Sequence, residues 1–89
     1  RGRTDLLIVW PQGGRERRWV VECKVRHGDL ERTLAEGLEQ TRAYMDRCGA
    51  EAGHLILFDR STERSWEEKT FRRAAPPGAG AAQVTVWGM

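Results

Sequence analysis

Cysteine is scarce in this 89-residue chain: only Cys23 and Cys48 occur, too few for a disulfide framework, so a reducing, cytoplasmic setting is expected. No apolar run approaches membrane-spanning length and no secretory pattern opens the chain, which argues against a membrane partner. A strong charge of one sign is also missing. Fifteen Lys and Arg stand against thirteen Asp and Glu, and a net charge of +2 does not argue for nucleic acid by itself. Long disordered tracts are excluded by a composition of 39% hydrophobic and 31% charged residues, which belongs to a small globular domain. The length allows one domain, residues 1–89, with a core near the lower limit of independent stability. The chain opens on Arg1 and enters a strand pattern almost at once, as a piece of a longer protein would.

What is present is more informative. Thr4 to Trp10 reads as a buried strand ending at Pro11, and Pro11-Gln12-Gly13-Gly14-Arg15 supplies turn chemistry. Trp19 to Val25 is the returning strand of an antiparallel hairpin, with Trp10 and Trp19 packing across the loop. Asp29 is placed to cap a helix in which Leu30, Leu34, Leu38, Thr41, Met45 and Cys48 form one apolar stripe, and Gly49 stops it. Gly53 to Asp59 is the next strand, and the intervening helix fits a crossover that leaves the two strands parallel. Ser65 is placed to cap a short helix, although Thr70-Phe71-Arg72 reads equally well as extended. Residues 75–80 have linker composition, and Val84 to Trp87 reads as a final strand at a sheet edge. The expected class is α/β, a mixed sheet with a crossover helix.

One strand carries an unusual pattern. Glu22 and Lys24 are two apart, so both face one side of the sheet, and a charged pair inside an apolar strand costs desolvation energy. Asp5 opens the neighbouring strand. Hard carboxylate oxygens from Asp5 and Glu22, with the Cys23 backbone carbonyl as a further ligand, suit Mg²⁺ or Mn²⁺. A lysine beside them suits orientation of an attacking water or stabilisation of developing negative charge. Taken alone, the same residues read as a surface salt bridge and a turn aspartate. Gln40 and Tyr44 are four apart on the shoulder of the helix's apolar stripe, placed to contact a phosphate or a base. The arginines Arg1, Arg3, Arg15, Arg17, Arg18, Arg72 and Arg73 lie outside the apolar segments and suit phosphate. Cys23 and Cys48 lack zinc-ligand spacing and read as core; His27 reads as a loop residue, His54 as structural, and Trp66 and Trp87 as packing anchors. Asp59-Arg60 fits a local salt bridge or a cleft lining.

Taken in order, Gly2-Arg3-Thr4-Asp5-Leu6, Val21-Glu22-Cys23-Lys24-Val25 and Gln40-Thr41-Arg42-Ala43-Tyr44 resemble the PD-(D/E)XK nuclease superfamily, the last piece its Gln-x3-Tyr motif. Residues 37–60 and 84–89 resemble the nuclease-like domain at the C-terminus of certain AAA-type ATPase proteins. The resemblance implies a restriction-endonuclease-like fold, a Mg²⁺-dependent nuclease acting on DNA, and an associated or fused ATPase domain. It implies metal ligands at Asp5 and Glu22, a catalytic Lys24, and substrate-positioning Gln40 and Tyr44. The family core opens with a helix and a strand that have no counterpart here, and Thr4 stands where the namesake Pro would be. A catalytically inactive module of the same fold, binding nucleic acid or protein beside an ATPase, is the alternative.

Overall fold

A computed structural model describes residues 3–75 and 83–89, with side chains from residue 6 onward in the first of these segments. The chain forms β1 (Arg3–Gln12), β2 (Arg15–Val25), α1 (Leu30–Cys48), β3 (Ala52–Phe58), α2 (Trp66–Lys69), β4 (Phe71–Ala74) and β5 (Gln83–Gly88). The five strands make one mixed sheet in the order β1-β2-β3-β5-β4. β1 runs antiparallel to β2, while β2, β3 and β5 are mutually parallel neighbours, and β4 returns antiparallel along β5.

The hairpin is longer and its turn tighter than expected. Pro11 and Gln12 pair with Glu16 and Arg15, so the strands run up to a turn at Gly13-Gly14. Both glycines have positive φ, 60° and 82°, which a side chain at either site would resist. Pro11 is tolerated because β1 is an edge strand.

α1 spans the interval expected from its apolar spacing. Thr33, Leu34, Gly37, Leu38, Thr41 and Met45 are buried, and Gly49 ends the helix in the left-handed region at φ 67°. Asp29 occupies the N-cap position without a side-chain capping bond. Thr33 secures this end instead: its hydroxyl lies 2.9 Å from the His27 carbonyl oxygen and 3.0 Å from that of Asp29. The helix packs across β2, β3 and β5. Close approach is allowed by two glycines: a Cβ on Gly37 would stand 2.8 Å from Leu55 Cδ2, and one on Gly53 2.5 Å from Met45 Sδ. The core is Val20, Leu34, Leu38, Met45, Leu55, Leu57, Val84 and Val86.

Both readings of the segment after Ser65 are realised in turn. Ser65 Oγ accepts from Glu68 N while Glu68 Oε1 accepts from Ser65 N, a reciprocal cap on the four-residue α2, and Phe71–Ala74 is then extended. That short β4 corrects the expected place of the last strand. β5 is interior, between β3 and β4, and its Val84 and Val86 are core residues. Trp66 is also corrected: it is 73% exposed and anchors no packing. Neither cysteine is fully buried, and both are free thiols. The linker reading of residues 76–80 lies outside the described residues. Among the described residues, no helix is long and apolar enough to cross a membrane.

Candidate functional site

β1 and β2 bring the two sequence-predicted acids into register. Asp5 is the ladder partner of Glu22, and directly opposed positions share a face of the sheet. The Asp5 side chain lies outside the described residues, so its reach is set by that register alone. Glu22 is fully buried, on the face covered by α1. A carboxylate at such a depth carries a desolvation penalty that an apolar residue of similar size would not. Cys23, the residue after Glu22, points to the opposite face. Burial raises the Cys23 thiol pKa, and the negative charge of Glu22 raises it further, so the thiol stays protonated at neutral pH.

Lys24 lies two residues beyond Glu22 on the α1 face. Its Cδ would be 3.3 Å from a Cβ on Gly37, so the aliphatic stem runs along the helix at the point where α1 has no side chain. Beyond that contact lies an open depression of about 390 Å³, lined by Lys24, Ala35, Glu36, Glu39 and Gln40. Gln40 therefore shares this depression with Lys24. Its Oε1 is buried and has no hydrogen-bond partner among the described residues. Tyr44, one turn further, does not line this depression. It is half-buried against the core, with the Arg47 guanidinium 5.4 Å from its ring centre.

Glu36 and Glu39 are the residues sequence reasoning passed over. They sit three apart on α1, in a helix that carries several other charged residues, so nothing in their spacing set them apart. Their significance comes from the sheet, which delivers Lys24 beneath them. Glu36 also lies 3.6 Å from His27 Nε2.

As donors, the Asp5 and Glu22 carboxylates are of the hard-oxygen type that Mg²⁺ and Mn²⁺ take, and the Cys23 carbonyl is of the same type. Among the described residues, no three His, Cys, Asp or Glu side chains converge as a metal cluster. The fit to a divalent cation thus rests on the opposed positions of Asp5 and Glu22.

The expected arginine cluster is largely committed elsewhere. Arg17 pairs with Glu51 at 2.7 Å, Arg18 with Glu16 at 2.9 Å and Arg73 with Glu31 at 3.5 Å, while Arg72 covers the Trp87 ring. Asp59, unassigned between salt bridge and cleft, is a structural centre held by Arg64 and Arg26 at 2.5 and 3.4 Å. His54 is structural as expected: its Nδ1 accepts from Trp87 Nε1 at 3.1 Å. Compared with family models, curated proteins and solved structures, the chain matches none.

Proposed function

We propose that this domain is a Mg²⁺-dependent nuclease of the restriction-endonuclease-like fold that hydrolyses DNA phosphodiester bonds. The observation that supports this reading most is the register of Asp5 against Glu22, with Lys24 next on the same face and Gln40 beside it. Asp5 and Glu22 would hold the cation, together with the backbone carbonyl of Cys23. The bound cation supplies charge neutralisation at the phosphate and a more acidic water. Lys24 orients the water and offsets negative charge that develops on the phosphate oxygens. Gln40, whose amide oxygen is unbonded among the described residues, and Tyr44 position the substrate. An AAA-type ATPase domain, fused or associated, is the partner this reading carries.

The test is nicking of supercoiled plasmid with Mg²⁺ or Mn²⁺. Lys24→Ala is expected to lower the rate by about a hundredfold or more, with an unchanged circular dichroism spectrum, because positioned acid–base and charge-stabilising groups contribute at least that much. Equal nicking by wild type and Lys24→Ala rejects the assignment. A noncatalytic module of this fold is the second reading. It gives DNA binding that weakens with salt, ignores metal and produces no nicks.

A further inference from the structure

β1 stands at one end of the sheet, and among the described residues no backbone group pairs with its outer side. The two-residue turn at Gly13-Gly14 fixes which peptide groups face outward. In such a hairpin the closing pair, Gln12 and Arg15, exchanges hydrogen bonds across the strands, and bonded and non-bonded pairs then alternate. Pro11, which has no N–H to give, falls at a non-bonded position, and so by alternation do Val9, Leu7 and Asp5. The N–H and C=O groups of those three residues therefore point away from β2.

The side chains of β1 lack cover in the same place. Leu7 and Val9 oppose Val20 and Arg18 on the side of the sheet where α1 lies, yet α1 packs across β2, β3 and β5 and leaves them 37% and 44% exposed. Leu6, on the opposite side, is 54% exposed. A helix or sheet laid over either face would bury Leu6 or the other two, never all three. A strand added at the edge flanks all three and satisfies the outward peptide groups as well.

Natural edges are kept apart by charge, proline or shortness. The sheet's other edge, β4, is protected in this way, with four residues of which two are Arg72 and Arg73. β1 carries no charge from Leu6 to Trp10. An antiparallel copy of β1, with Leu7 on a two-fold axis, sets Leu7 against Leu7, Leu6 against Ile8 and Asp5 against Val9. Aliphatic then meets aliphatic on both faces, no like charges oppose, and the bonded ladder stops at Pro11. Pairing β1 with β4 would instead bring Arg72 and Arg73 beside the aliphatics and leave an edge open on each copy, so chains would add without closing. We infer that β1 is a dimerisation edge, pairing antiparallel with β1 of a second copy of this chain to join two five-stranded sheets into one. The inference holds whether or not the domain cleaves DNA.

The test is sedimentation equilibrium of the purified chain over a concentration series, with amide exchange measured at both ends of the series. The wild type is expected to pass from monomer to dimer, with the Leu7 and Val9 amides gaining protection as it does. Val9→Pro removes one outward donor from each copy without touching the β1-β2 ladder, and is expected to weaken the dimer by about tenfold or more. Leu7→Lys and Leu7→Glu keep every backbone donor but oppose like charges at the axis; each alone is expected to be monomeric, and a mixture of the two to dimerise again. A chain that stays monomeric throughout, dimers as tight in all three variants as in the wild type, growth beyond the dimer, protection that bypasses Leu7 and Val9, or no rescue on mixing would each overturn the inference.

Discussion

At the residue scale, the fold leans on a few positions where one atom decides the outcome. Asp59 is one. The Arg64 guanidinium bonded to it, then the Ser61 amide and the charge of Arg26, lower its pKa from 3.8 to about 2 despite the opposing effect of burial. A carboxyl depressed on folding stabilises the native state above its unfolded value, and that stabilisation is lost as pH falls through the folded value. Asp59→Asn is therefore expected to be less stable than wild type at neutral pH, with the difference shrinking between pH 4 and pH 2. Urea midpoints measured across that range check it; a gap that stays constant contradicts it. Gly88 is another such position, because a Cβ there would meet the Phe71 ring and stand 2.6 Å from the Lys69 carbonyl oxygen. A backbone oxygen cannot move aside as a side chain can. Gly88→Ala is expected to cost about 1–3 kcal/mol by overpacking, read from denaturant unfolding.

At the element scale, local chemistry decides most boundaries. α1 was legible end to end, because its burial follows the 3.6-residue period and glycine is the residue that most readily takes the φ of 67° at position 49. Gly49→Ala is expected to lose about 1 kcal/mol, with amide exchange accelerating first in the last turn of α1. Other features escaped the sequence for identifiable reasons. The Asp29 side chain has the right chemistry for a cap, but Thr33 holds the same end through the His27 and Asp29 carbonyls. β4 is four residues, Phe-Arg-Arg-Ala, too short and too charged to show a period of two. Read only as an alternative to the short helix, it was not placed in the sheet, and β5 looked like an edge. At the candidate site, Asp5, Glu22 and Lys24 were legible because strand alternation fixes their face. Glu36 and Glu39 were not, because a tertiary contact at Gly37 brings Lys24 to them.

At the scale of the whole molecule, the sheet separates two chemistries. One face holds the core, the buried Glu22 and the Lys24 depression under α1; the other presents rings, aliphatics and arginines. That asymmetry could not be read from the sequence, since an apolar strand looks the same whether one or both faces are covered. The β1-β2 hairpin sets the acids in register: β1, antiparallel at the edge, brings its opening residues alongside the far end of β2. The central claim is that Asp5 and Glu22 share one divalent cation there. Calorimetric titration of Mn²⁺ into wild type, Asp5→Asn and Glu22→Gln tests it directly. A saturable single site in the wild type, weakened at least tenfold by either volume-conserving substitution, is the predicted result; identical isotherms for all three proteins, or no binding by any, would contradict it.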